Sequence, residues 1–75
     1  MNRPPIIDLE ATGKNIARLR DQAGLSVQDL QKRLRFVSEQ AIYKWECGKN
    51  LPTVDNLIAL ADIFGVTIDD IIIRF

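Results

Sequence analysis

The sequence predicts an all-α fold, a compact orthogonal bundle of five short helices. Apolar residues recur at three- and four-residue spacing in successive segments, which is the pattern of helices with one buried face. Serine, threonine or aspartate precedes each of these segments, and glycine follows three of them, as helix caps and stops do. No internal repeat is present. The 75 residues make one small domain with a thin core.

The first helix is predicted from about Leu9 to Ala23, with Asp8 as its cap and Gly24 as its stop. Before it, residues 1–8 contain Pro4-Pro5 and are expected to form a flexible N-terminal arm. Residues 9–75 then make up a single domain.

Residues 26–48 are the most informative segment, because they read as two short helices joined by a tight turn. Helix 2 is predicted at about residues 27–34 and helix 3 at about 39–46, with Ser26 and Ser38 as caps. Asp29 completes an acidic capping box with Ser26. The apolar positions of helix 3 place Trp45 in the core. A short helix of this kind fits the major groove of DNA.

The last two helices are predicted from their caps. Thr53 opens helix 4 and Gly65 ends it, and Thr67 with Asp70 opens helix 5. The β-branched run over residues 71–75 also fits a strand, but the cap and the short connection favour a helix. This run closes the core or contributes to a dimer surface.

Composition excludes several classes of function. One cysteine, Cys47, cannot form an internal disulfide, and without histidine a zinc site of the usual ligand types is excluded. We expect Cys47 to be a buried or half-buried neutral thiol, and we expect no metal and no cofactor. Lacking a signal peptide or an apolar run of about 20 residues, the chain is expected to be soluble, cytoplasmic and free of the membrane. No catalytic constellation is present, so an enzyme is rejected.

Charge is distributed unevenly along the chain although the net charge is zero. Between residues 14 and 49, eight basic residues stand against four acidic ones, whereas the remainder that follows carries four acids and one arginine. Solvated side chains explain such an asymmetry about as well as a basic face for phosphate does.

The order and spacing of several short pieces resemble the Cro/repressor family of helix-turn-helix proteins, also called XRE-like. The resemblance spans about residues 13–73. Its pieces are Ile16-Ala17-Arg18-Leu19-Arg20, Gly24-Leu25-Ser26, the run from Ala41 to Gly48, Pro52, the run from Leu57 to Ala61, and Phe64-Gly65-Val66.

The resemblance implies roles for individual residues. Arg20 and Glu46 are expected to form a partly buried structural ion pair. Bases would be contacted from helix 3 by Glu39, Gln40, Tyr43 and Lys44. Phosphate contacts are expected from Lys49 and Asn50 after helix 3, and further candidates are Ser26, Gln28, Arg35 and Ser38.

Three departures from the family pattern concern the same region. Val27 stands where the family usually has a phosphate-anchoring glutamine, and Gln31 stands where it prefers alanine. The turn over residues 35–37 is one residue longer and lacks the usual glycine, so no residue there readily takes a positive φ. A bulkier Gln31 would push helix 3 outward, and the longer turn would accommodate that shift.

Two hypotheses of function follow. The first is a sequence-specific regulator of double-stranded DNA, a repressor that binds a pseudo-palindromic site as a homodimer. The second is a protein-binding module, either an antitoxin-like subunit or a helix-turn-helix relic that binds a protein partner. Neutral net charge, Val27 and Gln31 favour the second more than the first.

Overall fold

The computed structural model describes residues 6–75 and confirms the all-α fold. Its five helices are α1 (Leu9–Gln22), α2 (Val27–Leu34), α3 (Glu39–Glu46), α4 (Val54–Phe64) and α5 (Ile68–Ile71). The first five residues of the expected N-terminal arm lie outside the described residues.

Local hydrogen bonds explain where most helices begin. Ser26 and Asp29 exchange side-chain and backbone hydrogen bonds at the start of α2, and Thr67 and Asp70 do the same at α5. Because each acid accepts a backbone N–H, the pKa of Asp29 and the pKa of Asp70 lie below the ordinary value for aspartate. Both caps therefore weaken as the pH falls through these lowered values.

The core is formed by apolar side chains from all five helices and from the turn after α2. Ile16, Leu30, Ile42, Leu60 and Ile71 are fully buried. Trp45 is only 5% exposed, which confirms its predicted place in the core. Val37, in the turn, is buried as well and fixes the turn against the core.

Helices α1 and α3 approach each other closely at Gly13. A Cβ atom at this position would lie 2.4 Å from the carbonyl oxygen of Trp45 and 2.7 Å from that of Glu46. Only glycine leaves room for this backbone contact. The end of α3 is therefore seated directly on the first half of α1.

The two ends of the described chain are hydrogen-bonded together beside α1. Ile7 and Arg74 form an isolated antiparallel β-bridge, and the Asp8 amide donates to the Ile73 carbonyl at 2.8 Å. The Thr12 hydroxyl exchanges hydrogen bonds with both backbone groups of Ile73. The buried Asn15 carboxamide donates to the carbonyls of residues 70 and 71.

These contacts divide the β-branched run at the C-terminus. It begins as a helix, as its cap predicted, but α5 ends at Ile71 and Ile72 is already extended. Ile71 closes the core, whereas Ile73 and Phe75 remain exposed. Over residues 6–75, no helix combines the length and apolar character needed to cross a membrane.

Candidate nucleic-acid interface

Helices α2 and α3 and the turn between them form a helix-turn-helix. The buried faces of α2 and α3 carry Leu30, Leu34, Ile42 and Trp45, while the outer face of α3 points to solvent. Ser38 begins α3 by accepting a hydrogen bond from the Ala41 amide. The first turn of α3 is thus ordered and accessible, as a helix that enters the major groove must be.

The turn contains one residue in a rare backbone conformation. Arg35 has φ 65° and ψ −57°, and it is the only non-glycine residue with positive φ among residues 6–75. The Phe36 amide donates to the Leu34 carbonyl at 2.7 Å, so the three residues form a γ-turn with positive φ, which is strained for an L-amino acid. The missing glycine noted in the sequence is therefore replaced by a strained arginine.

Substituting Arg35→Gly should stabilise the domain. Glycine removes strain of roughly 1–3 kcal/mol and loses up to roughly 1 kcal/mol through the entropy of the unfolded chain. We expect a net gain of about 1 kcal/mol in the free energy of unfolding, seen as a higher melting temperature. Arg35→Ala is the matched control, because it removes the same charge and keeps the strained φ. Equal melting temperatures for Arg35→Gly and Arg35→Ala would show that the backbone of Arg35 is not strained.

All four predicted base contacts lie on the exposed side of α3. Glu39, Gln40, Tyr43 and Lys44 are exposed, and Tyr43 retains 53% of its accessible surface. Gln40 lies three and four residues before Tyr43 and Lys44, so these three side chains share one face of the helix. They provide an amide, a phenol and an ammonium group, which between them donate and accept hydrogen bonds.

The predicted phosphate contacts are exposed too. Ser26 and Ser38 each use the hydroxyl oxygen to accept a cap hydrogen bond, which leaves the O–H free to donate. Gln28 lies in the first turn of α2, and Lys49 and Asn50 follow α3. Arg35 projects from the strained turn.

The helix-turn-helix surface carries more basic than acidic side chains, with five exposed basic residues against two exposed acids, Asp29 and Glu39. Within residues 6–75, the salt bridges are Lys14–Glu10, Arg20–Asp21 and Arg20–Glu46. The exposed basic side chains of the helix-turn-helix take part in none of these bridges; they are Lys32, Arg33, Arg35, Lys44 and Lys49. Glu46, by contrast, is neutralised by Arg20, so the acid at the end of α3 does not offset them.

The Arg20–Glu46 pair holds α3 in place. The Arg20 Nε donates to Glu46 Oε2 at 2.8 Å and Nη2 donates to Oε1 at 3.2 Å, with side-chain exposures of 15% and 12%. The Arg20 Nη1 also donates to the Leu25 carbonyl at 2.9 Å. The hydrogen bond that the Glu46 carboxylate accepts raises the pKa of Arg20. One guanidinium therefore ties α1, the loop before α2 and the end of α3 together.

Sequence reasoning missed or misplaced three features near this surface. Cys47 is exposed, so its expected burial was wrong: it follows α3 as the C-cap, beyond the helix's apolar face. Phe36 is 96% exposed. Gly13 provides the close contact between α1 and α3, a role that was not predicted from the sequence. A glycine within the apolar pattern of helix 1 was the available signal for this last feature.

Comparison with known proteins shows to which family the chain belongs. The helix-turn-helix family model matches residues 16–71, most of the chain. The chain belongs to this family, and the resemblance to XRE-like helix-turn-helix proteins is confirmed.

Two relatives and one solved structure refine the comparison. The chain is 36% identical over 59 residues to the HTH-type transcriptional activator BcrR of Enterococcus faecalis, covering 79% of this chain and 28% of BcrR. It is 40% identical over 55 residues to the uncharacterized HTH-type transcriptional regulator y4dJ of Sinorhizobium fredii (strain NBRC 101917 / NGR234), covering 73% and 70%. The DNA-binding domain of BldD shares the fold, with a TM-score of 0.73 and 24% identity over 87% of this chain and 93% of that one.

Proposed function

We propose that this protein is a sequence-specific regulator that binds double-stranded DNA through α3. The observation that carries the proposal is the exposed face of Gln40, Tyr43 and Lys44, held by the Arg20–Glu46 pair beside an excess of exposed basic side chains. Gln40 would pair with adenine N6 and N7, and Lys44 would reach guanine O6 and N7. The basic residues and the exposed serine hydroxyls would contact phosphates.

We expect the protein to act as a homodimer on a pseudo-palindromic site. One domain with this few basic residues neutralises few phosphates, and non-specific affinity scales with that number. Two copies, with their third helices one helical turn apart, would double the contact and read two half-sites. Exposed apolar side chains at the C-terminus, Ile73 and Phe75, are candidates for the dimer contact.

Repression is the proposed outcome of binding, since occupying a promoter blocks polymerase without any further contact. Activation is the alternative outcome, because BcrR, to which this chain is similar, is named an activator. The chain spans just over a quarter of BcrR, so the activity of that whole protein is not transferred to this one. A reporter gene downstream of the selected site distinguishes the two, because its expression falls under repression and rises under activation.

Replacing Gln40 or Lys44 with alanine should abolish selective binding and leave the fold intact. Each good pairing with a base contributes roughly 1–3 kcal/mol of discrimination, and a substitution in the homodimer removes two such pairings, so affinity for the selected site should fall about 30-fold or more. Both side chains are exposed, and the melting temperature should therefore stay unchanged. Fluorescence anisotropy with a selected duplex and thermal unfolding measure the two quantities.

Two matched variants control for general effects of removing a side chain. Gln22→Ala removes an exposed glutamine from the last turn of α1, and Lys14→Ala removes an exposed lysine that is paired with Glu10. Both should retain affinity for the selected site. If Gln40→Ala and Lys44→Ala bind as well as these controls, the proposed reading surface is wrong.

A protein-binding module is the second candidate function, and one observation favours it. On α4, Val54 and Ile58 are 69% and 57% exposed and lie four residues apart, so they form an apolar strip on one helix face. Failure of the folded wild-type protein to enrich any duplex at low salt would favour this candidate.

A further inference from the structure

Phe36 is the most exposed large apolar side chain in the described part of the chain, and it lies inside the helix-turn-helix. A single exposed apolar residue is common on protein surfaces. Phe36 differs because its backbone is fixed on both sides. Its amide is held in the γ-turn by Leu34, and the next residue, Val37, is buried in the core. The ring is therefore presented to solvent from an ordered position.

This position adjoins the start of the proposed reading helix. Phe36 precedes the α3 cap, Ser38, by two residues, and two residues of chain span at most about 7 Å. Phe36 also borders a shallow depression that Ser38, Ala41, Asn50, Thr53 and Asn56 line. The ring thus lies on the flank of α3 that faces Asn50, one of the proposed phosphate contacts.

The net charge around Phe36 is positive and therefore complementary to the negative surface of DNA. Between residues 29 and 39 the chain carries three basic residues, Lys32, Arg33 and Arg35, against two acids, Asp29 and Glu39. None of these three takes part in a salt bridge within the described residues. A positively charged turn attracts an acidic polymer such as DNA. When the turn approaches DNA, the Phe36 ring meets the edges of bases or the sugars between phosphates.

From these observations we infer that Phe36 reads the 5-methyl group of a thymine next to the bases that α3 contacts. The inference rests on the proposed function and adds a specificity-determining residue to it. Thymine offers the one apolar group among the four bases in the major groove, and phenylalanine is among the side chains that contact it. Arg35, beside Phe36, would bring the turn to the phosphate backbone. The additional residue in the turn would then supply a contact that a shorter turn lacks.

Duplexes in which single thymines are replaced by deoxyuridine test the inference directly. Deoxyuridine keeps every hydrogen-bonding group and lacks only the 5-methyl. For the wild-type protein on its selected site, one replacement in each half-site removes two methyl groups from the contacts of the dimer. Affinity should then fall about 15-fold, since each buried methyl group contributes a factor of about four. For Phe36→Ala, the thymine duplex should bind about 15-fold more weakly or worse, and the same replacement should have no further effect.

The matched control is Ile58→Ala, which removes another large exposed apolar side chain, 57% exposed on α4. It should keep the wild-type response to deoxyuridine. Phe36→Ala should melt at the wild-type temperature because the ring makes almost no contact in the free protein.

The outcomes separate this inference from the function on which it depends. A wild-type protein that selects a site but responds to no deoxyuridine replacement overturns the inference alone. The inference is also overturned if Phe36→Ala weakens binding relative to the wild type by the same factor on the thymine duplex and on the deoxyuridine duplex. The ring would then act through a contact other than the methyl group, such as a wedge between base pairs. A folded wild-type protein that selects no site overturns the proposed function, and the inference with it.

Discussion

Arg20→Ala and Glu46→Ala should each destabilise the domain by about 3 kcal/mol or more. Each substitution leaves the partner charge in a site where side-chain exposure is 15% or less, and breaking such a pair costs roughly 3–5 kcal/mol. A domain of this size has a total stability of only about 4–11 kcal/mol. Urea unfolding followed by circular dichroism measures the loss, and the milder Glu46→Gln keeps a folded variant available.

The double variant tests whether the two side chains act as a pair. With both groups removed, no charge is left unpaired, so the combined loss should be smaller than the sum by about 1–3 kcal/mol. The exposed pair Lys14–Glu10, with side-chain exposures of 74% and 76%, is the matched control and should contribute less than about 1 kcal/mol. If the loss in the double variant equals the sum of the two single losses, the interaction between Arg20 and Glu46 contributes nothing to the free energy of unfolding.

Gly13→Ala should also destabilise the domain strongly, by about 2 kcal/mol or more. Alanine favours a helix over glycine by roughly 1 kcal/mol, so intrinsic propensity alone predicts a gain. The added methyl would instead meet the carbonyl oxygens of Trp45 and Glu46 at 2.4 and 2.7 Å. Both are backbone atoms, and α3 must move away from α1 to accommodate it. Overpacking of this kind costs roughly 1–3 kcal/mol and more where the backbone resists.

The displacement should have a second consequence, because the same movement separates Arg20 from Glu46. We expect Gly13→Ala to weaken binding to the selected DNA site as well as thermal stability. Gly24→Ala is the control: its Cβ would meet no atom within 4 Å, and only its positive φ opposes the change. A Gly13→Ala variant more stable than the wild type would mean that α1 and α3 pack less closely than described.

Much of this fold was predictable because its signals are local. The capping boxes at Ser26 and Thr67 join groups three residues apart, and the glycine stop at Gly65 acts on its own helix. The periodicity that predicted Trp45 in the core needs only the spacing of neighbouring turns. The pairing of Arg20 with Glu46 was expected from the family resemblance, and the structure brings these two side chains together.

The candidate site was predictable only in part, for the same reason. Helical spacing places Gln40 and Lys44 on the side of α3 away from its apolar residues, but it does not show which residues of other segments lie beside them. The exposure of Phe36 and Cys47 depends on what packs beside the turn and the end of α3. An apolar residue next to the buried Val37 gives no signal in the sequence of lying in solvent.

The number and order of the helices could be predicted from the sequence, because each helix depends on residues within a turn or two of one another, and the family followed from the order and spacing of short pieces along the chain. Packing between distant segments decided other features. The contact at Gly13 and the pairing of residues 6–8 with the C-terminus each require segments far apart in the chain to meet, whereas the positive φ of Arg35 arises in the turn that the buried Val37 fixes against the core. Packing across space set these features, since no local preference favours a strained arginine or rewards a glycine within a helix.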